Sequence, residues 1–462
     1  MLWFKIIIYF LSFLIPGYLL IWLLRPRAPK LSWVNLALAY GLGSMLMTIS
    51  LFFQLFIFKN HFSLLSSWLV ILIEVIILLI LVIRRGVFPR REIWQSVFNL
   101  TKQIKFLKEW RSIFSSSKRA LIILVVILIL INSLISLNNA LSRPMATFDS
   151  LATWSWKAKI LFQETEISFN PETFFYLGGG GHLNYPWHVP LAQYWLQVNL
   201  GTYHDSLPNL IFVFYFFALL IVIFHFLKRY LSIFQALVFS FFLSSMPLVF
   251  YHAFNAYADL SLTFYISVAL IFSIFWLTRK QRSDFYLSAI FWGLSFWIKD
   301  AALIFYLAFL LAFLIYVLKK KLRFKDWVKY ILTTLLVISP WLIFKINYQL
   351  SFSNVGWSWL FQPRAIISFM ETMFVSYSWN IWWFIVLIVV FLNFKKIISS
   401  FVQSFFWLFL LVSFLGLILL FSFTPAAQYA LDNTALSRTL IPLAISSIMA
   451  VGLALSRKRS DS

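Results

Sequence analysis

Asp149 is well placed to do chemistry, because it lies in the segment FDSLATWSWKAKILF only a few residues after a long apolar run. A carboxylate at such a boundary could act as a general base toward an acceptor hydroxyl or amine. That role typically contributes about 10²–10⁴-fold to a rate. The same position suits a helix N-cap, with Asp149 or Ser150 as the capping residue. Both interpretations stay open on spacing alone.

Four more charged residues lie at the ends of apolar runs. Asp259 follows NAYA at the start of one run, Lys299 and Asp300 separate two short runs in WIKDAAL, and Arg438 enters the last run in ALSRTL. Asp259 could be a helix cap, and Lys299 with Asp300 a self-paired turn. Arg438 could extend to lipid head groups or hold a phosphate through two N–H groups. Cations at the depth of lipid phosphates would suit a lipid-phosphate leaving group.

The segment LGGGGHLNYPWHVP carries His182 and His188 on either side of Tyr185. With Asp149 or Asp259, the two histidines could bind a divalent metal, although their spacing is not a specific ligand pattern. The four glycines before them are not a phosphate-binding loop, because no Gly-Lys-Ser/Thr follows. The chain has no cysteine, which excludes disulfides and thiolate metal sites. The breaker residues predict a loop.

The composition predicts the elements that carry these residues. Of 462 residues, 62% are apolar and 11% charged, which is more apolar surface than one soluble core can bury. Apolar runs of roughly 18–25 residues recur along the chain, each long enough to cross about 30 Å of hydrocarbon as a helix. Helices satisfy their own backbone hydrogen bonds, so we predict an all-α polytopic membrane protein of about 13 transmembrane helices. They are predicted at 3–24, 34–58, 64–83, 120–141, 207–227, 231–251, 259–277, 284–298, 301–318, 327–347, 376–394, 399–422 and 437–456.

The formal charge of +23 reflects the side of the membrane on which the basic residues lie. Most of the 38 basic residues fall in loops on one side of the predicted spans, which the positive-inside rule makes cytoplasmic. The amino terminus is then outside and the carboxyl terminus inside. Because the charge is a topology signal, no nucleic-acid binding is expected. Most of the 15 acidic residues and most of the six histidines fall on the outer side, so chemistry is expected there.

The chain divides into three predicted parts. Residues 1–141 are amino-terminal helices, with a basic amphipathic segment at 84–119 that suits the anionic cytoplasmic leaflet. Residues 142–456 are a transmembrane core that includes an extracytoplasmic loop at 142–206. That loop is too short, and too poor in strand alternation, for a separate domain. Residues 457–462 are a cytoplasmic tail.

Five segments in order carry a family resemblance: FDSLATWSWKAKILF, HLNYPWHVPL, NAYADLSLTFY, WIKDAALIF and ALSRTLIPLA. Together they resemble the multi-spanning GT-C glycosyltransferases, in particular the bacterial family 39-like group of protein mannosyltransferases and lipid A aminoarabinose transferases. The likeness covers roughly residues 143–443. It implies transfer of a sugar from a polyprenyl-phosphate carrier, with inversion, on the extracytoplasmic side.

The resemblance also implies roles for single residues. Asp149 matches the first-loop acid regarded as the catalytic base, and Asp259 matches the second acidic position. Lys299 matches the lysine after a mid-chain span, and Arg438 the arginine that opens a late span. Lys157 and the stretch from His182 to Tyr185 match family motifs near the substrate. His188 and Asp300 are also expected to bind substrate. Two departures are visible: three extra helices precede the first-loop acid, and Ser150 stands where many members have a second acid.

These observations together predict an inverting hexosyl or pentosyl transferase of the plasma (inner) membrane. Its partners would be the polyprenyl-phosphate sugar, the bilayer and an acceptor that is a protein, lipid or glycan. A transporter or flippase is the main alternative, but transporters place ionisable residues near mid-bilayer, and here only Glu74 and His225 do so. An O-antigen ligase or polymerase would share the carrier but not the early Asp149 motif. No cofactor is predicted beyond the open divalent-metal interpretation.

Overall fold

The computed structural model describes residues 2–25, 32–58, 63–86, 119–164, 184–351, 359 and 361–456. Residues 87–118 of the predicted amphipathic segment, His182 and the tail 457–462 lie outside the described residues. Within the described ranges the regular structure is helical, without a strand, so the all-α prediction is confirmed.

The helices fall into two compact units, each described by itself. Unit 1 comprises residues 1–181, 187–222 and 254–256, and unit 2 comprises 182–186, 223–253 and 257–462. In unit 1 the elements are α1 Leu2–Leu24, α2 Trp33–Phe58, α3 Leu64–Arg84, α4 Arg119–Ser142, a π-helical turn Ser150–Trp154, α5 Ser155–Glu164, α6 His188–Leu200, a 3₁₀ turn Leu207–Asn209 and most of α7 Leu210–Leu227. In unit 2 they are α8 Ile233–Ser245, α9 Pro247–His252, α10 Ala258–Arg279, α11 Arg282–Ser295, α12 Ala302–Leu318, α13 Phe324–Asn347, α14 Pro363–Phe374, α15 Trp382–Ser399, α16 Phe401–Phe423, α17 Ala427–Leu431, α18 Leu436–Thr439 and α19 Ile441–Leu455.

Each predicted span coincides with helix, but not every helix is long. Ten helices of the described chain are long and apolar enough to cross a membrane, which confirms a polytopic membrane protein. The span predicted at 231–251 is broken at Pro247 into α8 and α9, because proline has no N–H to continue the α8 ladder. The spans predicted at 284–298 and 301–318 are helices of 14 and 17 residues. The number 13 stays a prediction.

Close backbone packing in unit 1 depends on glycine. A Cβ built on Gly17 of α1 would lie 1.9 Å from the Ala39 carbonyl oxygen of α2. A Cβ on Gly43 of α2 would lie 1.7 Å from the Phe13 carbonyl oxygen of α1. Membrane helices approach closely where such small residues face each other. The two glycines therefore set the distance between α1 and α2.

In unit 2, helix α10 is buried from Ala258 to Leu277 and packs against α11 and α19. One of its polar residues joins it to the neighbouring helices: Ser273 shares a hydrogen bond with Ser288 of α11, and Ser288 shares one with Tyr330 of α13. Because α10 begins at Ala258, the acidic residue Asp259 enters the packed interior in its first turn. The site in unit 2 is built around that start.

Candidate functional site

Asp259 is held by an ion pair inside unit 2. Lys299 Nζ donates to Asp259 Oδ1 at 2.7 Å, and the two side chains are 15% and 2% exposed respectively. Asp259 is the second residue of α10, the cap position is Tyr257, and no side-chain cap bond is made there. The N-cap interpretation of Asp259 is therefore wrong, because its carboxylate faces a cation from a distant part of the chain.

The Lys299–Asp300 turn is not self-paired. Asp300 Oδ2 instead accepts a hydrogen bond at 2.9 Å from Lys345 Nζ, near the end of α13. Lys345 is 1% exposed and also lies over the ring of Trp341. Lys345 was not among the predicted site residues, although a basic residue in the last turn of a span was a signal for it. Two adjacent charges are thus each fixed by a different helix.

Arg438, in the short helix α18, belongs to the same surroundings. Its guanidinium lies 5.0 Å from the centroid of the Tyr257 ring, and its Nε donates to the Thr434 carbonyl oxygen at 2.8 Å. The Tyr257 ring also stacks on the imidazole of His252, with centroids 4.6 Å apart. Ring stacking and cation contacts of this kind fix orientation at modest energy. We call the set Asp259, Lys299, Arg438, Tyr257 and His252 the Asp259 cluster.

Two members of the Asp259 cluster have unused hydrogen-bonding atoms. His252 is fully buried, and neither ring nitrogen has a hydrogen-bond partner among the residues that the structure describes. The same holds for Asp259 Oδ2. An unpaired buried polar group typically costs about 1–3 kcal/mol, so such groups point to a ligand or an ordered water. Burial lowers the pKa of His252 to about 3, outweighing the nearby carboxylate of Asp259, so the imidazole is neutral at pH 7.

His252 was not among the predicted site residues. The available signal was its position in YHAFNAYAD, seven residues before Asp259 and at the end of the proline-initiated helix α9. A lone histidine with no motif around it gives no warning that its ring will stack beside a buried carboxylate. Only the fold brings the two residues together.

Asp149 lies in unit 1, between α4 and the π-helical turn. Its backbone is helical, with φ −64° and ψ −32°, and its side chain makes no capping hydrogen bond. Asp149 therefore occupies the N-cap position of this turn, as one of the two interpretations predicted, but without a capping side-chain hydrogen bond. The side chain is partly exposed, whereas Ser150 beside it is buried and donates to the Ala256 carbonyl oxygen at 3.3 Å. The carboxylate thus stays accessible on a segment that Ser150 anchors.

Lys157 and His188 lie inside unit 1. Lys157 Nζ is 4.6 Å from the centroid of the Trp187 ring, and the side chain is fully buried. His188 makes contacts through both ring nitrogens, Nδ1 with Thr48 Oγ1 at 2.6 Å and Nε2 with Tyr215 Oη at 2.7 Å. Burial lowers the pKa of His188 to about 3, which keeps it a neutral member of this hydrogen-bonded chain.

Tyr185 belongs to the short stretch 182–186 of unit 2 and is partly exposed. The neighbouring Asn184 donates through Nδ2 to Ser351 Oγ at 3.2 Å, just beyond α13. His182 lies outside the described residues. In the part of the chain that the structure covers, no group of three histidine or acidic side chains could hold a metal ion.

Residues 188–344 match the family model of the dolichyl-phosphate-mannose-protein mannosyltransferases. The matched stretch is about a third of the chain, and it is similar to a family of membrane glycosyltransferases. It spans α6 to α13 and includes His188, His252, Asp259, Lys299 and Asp300. Asp149, Lys157, Tyr185 and Arg438 lie outside the matched stretch. No curated protein and no solved structure matches the chain.

Proposed function

We propose that the protein is an inverting glycosyltransferase that moves a sugar from a polyprenyl-phosphate carrier to an acceptor on the extracytoplasmic face of the plasma membrane. The observation that carries the proposal is the Lys299–Asp259 ion pair at 2.7 Å, within the stretch that matches the mannosyltransferase family. Buried ionisable residues near a membrane surface are costly, and they are most often retained for function.

Lys299 and Arg438 are the proposed ligands of the carrier phosphate. The Asp259 cluster holds two cations and one carboxylate, so it keeps one net positive charge while His252 is neutral. Asp259 fixes the Lys299 ammonium in place before any donor arrives. Preorganised positive charge stabilises a departing phosphate more than mobile charge does, because no reorganisation is needed during reaction.

Asp149 is the proposed general base. It would take the proton from the acceptor hydroxyl or amine while the acceptor atom bonds to the anomeric carbon of the sugar. The bond from that carbon to the phosphate oxygen breaks, and its electron pair leaves with the polyprenyl phosphate. Attack opposite the leaving group inverts the anomeric centre. The partly exposed position of the carboxylate supports this role, since the acceptor comes from outside the protein.

The other predicted residues have supporting roles in this proposal. Asp259, His182 and Tyr185 would shape the sugar pocket. Asp300 would be held by Lys345, which positions the turn that bears Lys299. Lys157 and His188 stay proposed substrate-binding residues, and their contacts with Trp187, Thr48 and Tyr215 also hold α5 and α6 in unit 1.

The test is mass spectrometry of lipids that co-purify with the wild-type protein and with Asp149→Asn. We expect the variant to lose transfer in membrane vesicles and to accumulate a polyprenyl-phosphate sugar, because it binds the donor without consuming it. Asp205→Asn is the matched control, since it removes an exposed carboxylate from the same unit. Normal turnover by Asp149→Asn would remove Asp149 from the mechanism. Absence of polyprenyl carriers from every sample would refute the proposed function.

A further inference from the structure

His252 and Asp259 offer three hydrogen-bonding atoms with no use in the phosphate site described above. Both nitrogens of His252 and Oδ2 of Asp259 are buried, and none has a hydrogen-bond partner within the described ranges. The side chains are 0% and 2% exposed. The imidazole cannot turn away freely, because it stacks on Tyr257 at 4.6 Å. A fixed ring with unused polar atoms points to a ligand or an ordered water beside it.

The chemistry of these atoms selects the ligand. A neutral imidazole presents one N–H donor and one acceptor nitrogen, and a carboxylate oxygen only accepts. A hydroxyl group both donates and accepts, so one hydroxyl can bond a His252 nitrogen and Asp259 Oδ2 together, and a second hydroxyl or a water can bond the other nitrogen. A phosphate oxygen can only accept and would be repelled by Asp259. An apolar chain would leave all three atoms unpaired.

We propose that His252 and Asp259 Oδ2 bind hydroxyl groups of the donor sugar, which makes His252 a specificity-determining residue. This inference rests on the proposed function, because it needs a sugar beside the phosphate that Lys299 and Arg438 bind. The pairing of Lys299 with the other carboxylate oxygen supports it, since Asp259 then orients Oδ2 and cannot rotate without losing the ion pair. A site built to bond hydroxyls discriminates strongly against sugars that lack them.

The variant that tests this is His252→Phe, which keeps an aromatic ring against Tyr257 and removes both nitrogens. The readout is the ratio of sugar-bearing to bare polyprenyl phosphate among co-purifying lipids, measured by mass spectrometry. We expect that ratio to fall about tenfold or more while bare carrier is still bound, because the phosphate ligands are intact. His252→Gln keeps one donor and one acceptor and is expected to restore part of the ratio. Tyr251→Phe is the control, since it removes a hydroxyl from the adjacent, exposed ring.

The outcomes separate the two proposals. An unchanged ratio in His252→Phe would overturn the role of His252 and leave the phosphate site standing. Buried waters, rather than the sugar, would then bond the three atoms. If the wild-type protein carries no polyprenyl lipid at all, the proposed function fails and this inference fails with it. Should His252→Phe not fold, as judged by its thermal unfolding in detergent, His252→Leu decides, since it also removes both nitrogens: an unchanged preference among added sugar-phosphate lipids against wild type would overturn the inference.

Discussion

At the scale of single residues, the ion pair between Lys299 and Asp259 is the interaction on which the site depends. Replacing Lys299 by Met leaves a carboxylate buried without its cation. Removing one partner of a buried pair typically destabilises by about 3 kcal/mol or more. We expect Lys299→Met to lower the free energy of unfolding by about that amount and to abolish transfer. Chemical unfolding in detergent measures the first effect, and vesicle assays the second.

The double variant Asp259→Asn with Lys299→Met separates stability from function. A neutral amide is cheaper to bury than a carboxylate, so most of the lost stability should return. Transfer should not return, because the phosphate ligand is still missing. Arg323→Met is the matched control, because its pair with Asp326 is exposed and should matter little. A double variant as unstable as Lys299→Met would mean that packing, rather than charge, is what the lysine supplies.

The sequence placed Lys299, Asp300, Asp259 and Arg438 at the ends of spans but could not pair them. Adjacent charges such as Lys299 and Asp300 suggest a local pair, because sequence spacing reports only near neighbours. The actual partners are 40 and 45 residues away along the chain. Such contacts depend on how α10, α11 and α13 pack, and hydropathy alone carries no information on that packing.

At the scale of helices, prediction was most successful, because a span is specified by its own length and apolarity. The helix bounds of α1 and α10 differ from the predicted ones by two residues at most. Prediction was least complete where a helix is short or broken, as at Pro247, since an apolar run hides a break of that kind. The contact between α1 and α2 was also not predicted, because an isolated glycine in a helix does not indicate which helix packs against it.

We expect Gly43→Ala to destabilise the protein by about 1–3 kcal/mol, because overpacked interfaces must move apart. The added Cβ would lie 1.7 Å from the Phe13 carbonyl oxygen, which is backbone and cannot yield easily. Gly416→Ala in α16 is the control, since its Cβ would meet Ile304 at an ordinary 3.4 Å. Gly416→Ala should leave the stability of the protein unchanged or raise it slightly, because alanine is a better helix former than glycine. Thermal unfolding of both in detergent would show the difference, and equal midpoints would rule out a tight α1–α2 contact.

At the scale of the whole molecule, the number of crossings decides on which side each site faces. Ten spans and thirteen spans differ in parity, because only an odd number puts the two termini on opposite sides. The difference arises in α8 with α9, α11 and α12, which are shorter than a typical transmembrane helix of about 20 residues. Short helices can cross where the bilayer thins around them, so length alone does not decide.

The chain has no cysteine, so single cysteines can report sidedness without any background. Arg282→Cys is the informative position, because Arg282 is exposed and is the first residue of α11, just beyond the end of α10. With thirteen crossings, Arg282→Cys faces the cytoplasm, opposite Asp205→Cys. If α8 with α9 does not cross, the two cysteines lie on the same side.

We expect a membrane-impermeant maleimide to label Asp205→Cys on intact cells and Arg282→Cys only after permeabilisation. Labelling of both on intact cells would mean that α8 and α9 do not cross, and would place the start of α10, with the Asp259 cluster, on the cytoplasmic side. A polyprenyl-phosphate donor would then have to be used there, and the proposed extracytoplasmic reaction would be excluded.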